Sequence, residues 1–451
     1  MLRRVTTMSA TNKRLVSQAA TTKRTALPAW LERFPNDHTP GSTLYAWTPE
    51  NLGSHGSNEI LNDGSPYVKD SSNRIYILGI GNLGRLYANF LAKLEDAPPI
   101  TLVFHRKSLL EHWVSSPGIE LTCKGEKETV SNFDVEWWTE ERPVSGPVKE
   151  VCDGTKIANL IVATKAPDAL PQVDRLRRYL DDSSTVAFVQ NGMNKLWPPY
   201  GAEYNLRRFA LNKHPNWLVC VTTHGVTSLG TFRSIHASPA DVAMGPVLLN
   251  PKTGAGAKYL MDQIMRTPPL AARVVSRPAL WVLQLEKLIV NSVINPLTAI
   301  LRCKNGALFA RPGSDIEKVM DLLIEEASAI LRALVQDESS RTILQPDEHS
   351  QEVSDVQKAR QGLLQRFSTP QLRAMLHRVG EKVKDNTSSM LQDVAAGKQT
   401  EVDEFNGWLT QTAEYLSLEA ANHQTICKLV KQGRILDEGQ LSKYFPAIDT
   451  L

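Results

Sequence analysis

Three polar side chains recur at four-residue spacing in an otherwise largely apolar stretch, EKLIVNSVINPLTA, at residues 286–299. They are Lys287, Asn291 and Asn295, and residues four apart lie on one stripe of an α-helix. An ammonium can donate a proton and stabilise a growing negative charge, and carboxamides bind polar groups without adding net charge. The stripe therefore indicates a cleft suited to proton transfer, and a solvated helix face with satisfied amides is the alternative.

Pro296 stands inside this helical pattern, directly after Asn295. A proline lacks the N–H that would bond the carbonyl four residues earlier, and its ring crowds that carbonyl. We therefore predict that the helix either kinks here or leaves one carbonyl free. Either outcome would make the polar stripe locally irregular.

A cofactor-binding element is indicated where the first strong pattern begins, in RIYILGIGNLGRLYANFLAKL at residues 74–94. A short apolar strand precedes a GxGxxG motif, and apolar residues at helical spacing follow it. In dinucleotide-binding folds the first glycine permits a tight turn, the second lets the backbone approach a pyrophosphate, and the third allows close helix–strand packing. A glycine turn in another α/β domain, such as a methyltransferase, is the alternative. The predicted cofactor residues in this turn are Gly79, Gly81, Asn82, Leu83 and Gly84.

Polar residues follow the next three predicted strands. In ITLVFHR, Arg106 lies about 20 residues beyond the last glycine, where an NAD site usually carries a carboxylate. A cation there favours the 2′-phosphate of NADP, unless it is only a solvated surface base. ANLIVATKA ends near Lys165 and STVAFVQNG near Asn191. Taken singly these are more often a surface charge and a turn, but together with Gly79 they predict a ligand site at the carboxyl edge of a parallel sheet.

The patterns divide the chain into four segments. We predict an α/β Rossmann-like N-terminal domain at residues 73–270, followed by an all-α C-terminal domain at 271–451. Residues 32–72 are rich in Gly, Ser, Asn, Asp and Pro, which is typical of a linker or extension. Residues 336–360 are polar and charged, which indicates an insertion or a surface helix.

Residues 1–31 form a basic leader that is rich in Ser and Thr. It contains no acidic residue, and the first one in the chain is Glu32. This composition is typical of a mitochondrial transit peptide. A disordered basic tail, with initiation at Met8, is the alternative and would leave the protein in the cytoplasm. The leader therefore raises mitochondrial localisation as an expectation.

Composition excludes several other classes of partner and site. The 51 Lys and Arg against 48 Asp and Glu give a formal charge of +3, which offers no argument for nucleic acid. No window approaches the roughly 18–20 apolar residues of a membrane span. The 5 cysteines are scattered without a CxxC pair, so neither a disulfide framework nor a metal site is expected. Whether the protein is a homodimer stays open.

Six blocks of sequence carry a family resemblance. They are GIGNLG, ATKA, QNGM, VTTHG, EKLIVNSVINPLTA and NTSSMLQDVAAGKQTEVDEFNG; they run in family order, and the resemblance covers most of the chain from about residue 73 to 435. In this order they resemble ketopantoate reductase (2-dehydropantoate 2-reductase), and the long leader and the insertion resemble eukaryotic members. The resemblance implies a Rossmann domain followed by a helical domain with the site between them. It also implies NADPH-dependent reduction of ketopantoate to pantoate, a step toward pantothenate and coenzyme A.

The resemblance assigns roles to residues within these blocks. Lys287 is similar to the family's general acid, and Glu401 matches the acidic partner in the active site. Lys165 and Asn191 match residues near the cofactor. Residues matching substrate contacts are Asn191, Asn291, Asn295 and Ser389. Without the resemblance, the Ser389 block indicates only a helix cap, and Glu401 only a surface acid.

One position departs from the family pattern, and two other functions stay open. The family usually has a tryptophan two residues before the lysine, whereas this chain has Leu285 there and Trp281 earlier. This change is expected to alter packing and not chemistry. The alternative functions are an NADP-dependent reductase of another branched 2-keto acid and a non-catalytic Rossmann protein that binds a partner.

Overall fold

The computed structural model describes residues 27–53, 72–345 and 353–450, with the side chains of 353–355 and 450 left out of that description. The chain divides into two compact units, residues 1–34 and residues 35–451. In its described residues, 27–34, the first unit contains one helical turn, α1 (Ala29–Glu32). Most of the predicted transit segment, residues 1–26, lies outside the described residues. The second unit holds the sheets, the other helices and all of the predicted site residues.

The described residues of the second unit form two β-sheets. A nine-stranded sheet has the order β1-β6-β3-β2-β7-β8-β9-β12-β13, and a four-stranded sheet has the order β10-β11-β4-β5. The strands are β1 (Tyr45–Trp47), β2 (Ile75–Leu78), β3 (Ile100–Phe104), β4 (Ile119–Cys123), β5 (Glu126–Val130), β6 (Asp134–Thr139), β7 (Asn159–Val162), β8 (Thr185–Phe188), β9 (Asn216–Thr222), β10 (Gly225–Gly230), β11 (Arg233–Ser238), β12 (Val242–Leu248) and β13 (Ala272–Val274).

The centre of the large sheet has the doubly wound topology. Six neighbouring strands, β6-β3-β2-β7-β8-β9, run parallel. Counted along the chain within this group, their order is the 3-2-1-4-5-6 arrangement of dinucleotide-binding folds. Strands β2, β7, β8 and β9 are buried along their whole length, as expected for strands covered on both faces. The predicted Rossmann-like fold is confirmed.

The two edges of this sheet extend beyond the predicted domain limits. Residues 32–72 were predicted to be linker, but β1 lies within them and pairs antiparallel with β6. The Trp47 and Trp137 rings pack with centroids 5.3 Å apart across this pair. A three-residue strand among Pro, Gly and Ser is too short to give a periodic signal, which explains why it was missed. At the opposite edge β13 pairs with β12, so the α/β part continues past the predicted limit at residue 270.

The described helices fall into two groups. Five accompany the sheet: α2 (Asn82–Leu91), α3 (Lys107–Ser115), α4 (Ala166–Arg175), α5 (Tyr200–Arg208) and α6 (Lys258–Met265). The C-terminal group is α7 (Arg277–Leu301), α8 (Asp315–Gln336), α9 (Arg341–Leu344), α10 (Val353–Arg366), α11 (Thr369–Lys382), α12 (Ser389–Ala395), α13 (Trp408–Tyr415) and α14 (Ala421–Lys431). The predicted all-α C-terminal part is thereby confirmed. None of the described helices is both long and apolar enough to cross a bilayer.

Helix α7 continues through Pro296 for its full 25 residues. The proline removes the N–H that would bond the carbonyl of Ser292, and Asn406 Nδ2 donates to that carbonyl at 2.8 Å instead. Asn406 belongs to a π-helical turn, Asp403–Gly407, and also lies 3.0 Å from Nδ1 of His423. Of the two predicted effects of Pro296, a kink or a freed carbonyl, the structure shows the freed carbonyl, which bonds to Asn406 while α7 continues through the proline.

Candidate active site

The Lys287 side chain extends from α7 to the carboxyl edge of the parallel sheet. Its Nζ donates to Oδ1 of Asn191 at 2.9 Å and to the main-chain carbonyl of Thr222. Asn191 follows β8 by three residues, and Thr222 ends β9. Because dinucleotide cofactors and their substrates bind beyond this edge of an open α/β sheet, the ammonium lies where such chemistry would occur.

The surroundings of Lys287 set its proton affinity. Burial lowers the pKa of the Lys287 amine to about 8, and the negative charge of Glu401 opposes that shift. An amine with this pKa can be a charged donor and can also lose its proton near neutral pH. An ammonium has three N–H groups, and Asn191 and Thr222 take two of them. One N–H therefore remains for a ligand in the cleft.

Glu401 lies at the junction between the helical part and α4. Its Oε1 accepts the backbone N–H of Ala166, the first residue of α4, at 3.1 Å. Burial raises the pKa of the Glu401 carboxyl, while the bond from Ala166 and the charge of Lys165 lower it. Glu401 thus affects Lys287 through its charge, while its own position is held by a helix N-terminus.

The two asparagines of the stripe continue along α7. Asn295 is buried and its Nδ2 lies 3.4 Å from Oγ of Ser389. Asn291 is half-buried one turn nearer to Lys287. Ser389 is exposed at the start of α12, whereas the preceding Ser388 is the cap whose Oγ accepts from the helix. The structure therefore brings Lys287, both asparagines and Ser389 together along one line.

The glycine turn fits a dinucleotide. Gly79 has φ +93°, and a Cβ there would lie 2.8 Å from the backbone of Thr164. A Cβ on Gly84 would lie 2.0 Å from the carbonyl oxygen of Gly79. At Gly81, by contrast, the nearest atom would be 3.9 Å away. Packing within the protein does not require glycine at 81, but the approach of a pyrophosphate to the helix N-terminus does.

The remaining cofactor residues occupy different surroundings. Arg106 is exposed at the N-cap of α3, two residues past β3, and Leu83 packs against the core. Asn82 Nδ2 donates to the carbonyl of Val226 at 3.0 Å. Lys165 Nζ lies 2.6 Å from Oδ2 of Asp393, so the structure pairs it with the helical part. Its contact with a cofactor stays a prediction.

Comparison with known proteins identifies the family. The family model described as "Ketopantoate reductase PanE/ApbA" matches residues 75–248, and "Ketopantoate reductase PanE/ApbA C terminal" matches residues 280–434. A ketoisovalerate reductase of Beauveria bassiana is 39% identical over 92% of this chain and 98% of its own length. This chain belongs to the ketopantoate reductase family. The predicted resemblance is confirmed, and the family is one of oxidoreductases.

Other members of the ketopantoate reductase family are similar over comparable lengths. Ketoisovalerate reductase BEA2 of Gibberella fujikuroi is 40% identical, covering 92% of this chain and 98% of the relative. A "Probable 2-dehydropantoate 2-reductase" of Schizosaccharomyces pombe is 28% identical over 80% of this chain and 96% of that protein. A probable 2-dehydropantoate 2-reductase structure from Bacillus subtilis shares the fold, with a TM-score of 0.52 at 22% identity, covering 80% of this chain and all of that one.

Next to the candidate site lie further polar contacts that the sequence analysis missed. Lys195 Nζ lies 3.1 Å from Oε1 of Glu404, and both side chains are largely buried. Gln284 Nε2 donates to the carbonyl of Gly192 at 2.9 Å. Glu404 stands three residues after Glu401, so proximity within one block was the only available signal. The partners of Lys195 and Gln284 lie in distant segments of the chain, and residue spacing alone does not reveal such contacts.

Proposed function

We propose that the protein is an NADPH-dependent reductase of a branched 2-keto acid, with ketoisovalerate as the preferred substrate. The observation that carries the proposal is the Lys287 ammonium at the carboxyl edge of the sheet, bonded to Asn191 and Thr222 with one N–H remaining. Bound NADPH would supply a hydride to the ketone carbon of the substrate. The protein's own part is to place that ketone and to manage the charge and proton on its oxygen.

Lys287 is the proposed general acid. Reduction places negative charge on the former carbonyl oxygen, and an ammonium in a poorly solvated site stabilises that charge before it transfers a proton. Burial lowers the pKa of Lys287 to about 8, which eases proton release, and the charge of Glu401 keeps enough of the protonated form. The two side chains therefore act as a donor and the group that tunes it.

The amides and the serine are the proposed substrate contacts. Asn291 and Asn295 follow Lys287 on α7, and Ser389 stands beside Asn295. Carboxamide and hydroxyl groups can donate to a carboxylate while leaving the charge balance of the site unchanged. A 2-keto acid lying along this line would have its carboxylate near the amides and its ketone near Lys287.

The names of the relatives support the choice of substrate. Two relatives that cover 92% of this chain, at 39% and 40% identity, are ketoisovalerate reductases. The 2-dehydropantoate 2-reductase relative of fission yeast is more distant at 28%. Ketopantoate carries an added hydroxymethyl group on the branched carbon. It is the second candidate, because the polar stripe of α7 offers amides that could bind that hydroxyl group.

The preference for NADPH rests on Arg106. The residue is exposed directly past β3, where the adenosine ribose lies in dinucleotide-binding folds. A guanidinium there can bind a 2′-phosphate in a bidentate manner, whereas a carboxylate would bind the ribose hydroxyls of NAD.

The test is a steady-state assay of NADPH oxidation by the purified full-length chain. Ketoisovalerate, ketopantoate and the unbranched 2-ketobutyrate form the substrate panel, each also assayed with NADH. We expect the highest kcat/KM with ketoisovalerate and NADPH. A higher value with ketopantoate would favour the second candidate, and no oxidation with any 2-keto acid would favour a partner-binding protein.

A further inference from the structure

Arg85 lies one turn inside the helix that begins at the glycine turn, and its side chain is buried, with 5% of the residue exposed. All five N–H groups of its guanidinium donate to neutral oxygen atoms. Nε donates to the carbonyl of Gly81 at 3.2 Å. The other acceptors are the carbonyls of Gly230 and Arg233, both at 2.7 Å, Oδ1 of Asn82 at 2.9 Å and Oγ of Ser228 at 3.2 Å.

In the part of the chain that the structure describes, the charge of this guanidinium has no carboxylate partner. Within the described ranges, no Asp or Glu oxygen forms an ion pair with Arg85. Burial lowers the pKa of Arg85 to about 10, so the group stays protonated at neutral pH. A buried charge that meets only neutral partners is destabilising for the fold unless an anion completes the site.

Arg85 also holds the parts of the glycine turn together. Through Gly81 and Asn82 it contacts the turn, and through Ser228, Gly230 and Arg233 it contacts the hairpin formed by β10 and β11. Two more bonds reinforce the junction, from Asn82 Nδ2 to Val226 and from Ser234 Oγ to Asn82. The start of α2 is therefore fixed against the second sheet.

We propose that Arg85 is a positioning residue for the diphosphate of the cofactor. It holds Gly81 and Asn82 so that the free N–H groups of α2 face the anion, and it adds a positive charge that no carboxylate among the described residues balances. This inference rests on the dinucleotide binding in the proposed function. It identifies the diphosphate as the counter-ion of Arg85, and Gly81, where a Cβ would meet only the Ala163 carbonyl oxygen at 3.9 Å, marks the side of approach.

The experiment compares Arg85→Gln and Arg85→Lys with the wild-type chain in two binding measurements. Fluorescence titration gives the Kd of NADPH, and displacement of NADPH gives the Kd of adenosine 2′-monophosphate, which has the 2′-phosphate but no diphosphate. We expect Arg85→Gln to raise the Kd of NADPH by about tenfold or more, because it removes a positive charge near the helix N-terminus that faces the diphosphate. Adenosine 2′-monophosphate should bind as before, and Arg85→Lys should recover most of the NADPH affinity.

Each other outcome overturns the inference. An unchanged NADPH Kd in Arg85→Gln would show that the charge does not reach the diphosphate, and equal weakening of both ligands would show a merely structural role. If Arg85→Gln does not fold, Arg85→Lys decides: it must keep its NADPH affinity even where its unfolding midpoint falls. Failure of the wild-type chain to bind NADPH would instead refute the proposed function, and the Arg85 inference with it.

Discussion

Nζ of Lys287 on α7 lies 2.9 Å from Oδ1 of Asn191, which follows the buried strand β8. The contact joins the helical part to the sheet edge across 96 residues of sequence. A second bond from the same Nζ to the carbonyl of Thr222 fixes the ammonium from the next strand. The position of the proposed acid is therefore determined by both domains together.

Replacing Lys287 with alanine should remove the proton donor and leave the glycine turn unchanged. We expect kcat with the preferred 2-keto acid to fall by about 10²–10⁴, while the Kd of NADPH stays near its wild-type value. Steady-state kinetics and a fluorescence titration measure the two quantities. Lys258→Ala, at an exposed lysine outside the site, is the matched control, and wild-type turnover in Lys287→Ala would refute the assignment.

The rate of reduction should decrease at alkaline pH. Only the protonated amine can donate, and burial lowers the pKa of Lys287 to about 8, so kcat should decline as pH rises through about 8. The charge of Glu401 raises the pKa of Lys287, so Glu401→Gln should move this decline to lower pH. A pH profile of kcat measures the shift. Glu381→Gln, at an exposed carboxylate, should leave the profile in place, and an unshifted profile in Glu401→Gln would contradict the coupling.

Arg106 should determine the choice between the two nicotinamide cofactors. Arg106→Asp places a negative charge where we expect the 2′-phosphate. We expect it to weaken the binding of NADPH by about ten- to hundredfold and that of NADH far less. The charge-assisted bond to the 2′-phosphate is lost, and the new carboxylate repels that phosphate. The ratio of kcat/KM for the two cofactors measures this. Arg142→Asp, at another exposed arginine, should not change the ratio, and an unchanged ratio in Arg106→Asp would exclude a phosphate contact.

Asn406 should contribute to the stability of the helical part. Asn406→Ala leaves the carbonyl of Ser292 without the donor that replaces the N–H missing at Pro296. A buried acceptor without a partner typically costs about 1–3 kcal/mol, and the free energy of unfolding from denaturant titration measures the loss. Asn386→Ala, at an exposed asparagine, should change it by less than about 0.5 kcal/mol. Equal stability of the two variants would mean that the carbonyl finds another donor.

Local patterns were enough to predict much of this molecule. The glycine spacing between a strand and a helix predicted a tight strand–turn–helix unit, and in the structure a side chain at Gly79 or Gly84 would collide with backbone atoms. The four-residue spacing predicted that Lys287 and Asn295 share a stripe, and the chemistry of Pro296 predicted the free carbonyl of Ser292. The signal for each of these features lies within a few turns of sequence, although the contacts of Gly79 and of the Ser292 carbonyl come from the distant residues Thr164 and Asn406.

Features that depend on distant partners could not be predicted. The partner of Lys165 is Asp393, 228 residues away, and the partner of Lys195 is Glu404, 209 residues away. The polar network of Arg85 depends on the hairpin formed by β10 and β11. The sequence pattern of α2 gives no information about that hairpin. Residue spacing predicts which side chains share one face of a helix or strand, whereas the packing of the domains determines which residues that face contacts.

Strand β1 has a consequence for the behaviour of the chain in solution. It covers the open side of β6 with only three residues, Tyr45–Trp47, and the Trp47 ring packs against the Trp137 ring of β6. A protein shortened to begin at the glycine motif would leave β6 as an exposed, aromatic-rich edge strand. Such an edge can pair with the same edge of another molecule. We therefore expect removal of the segment that contains β1 to increase aggregation of the protein.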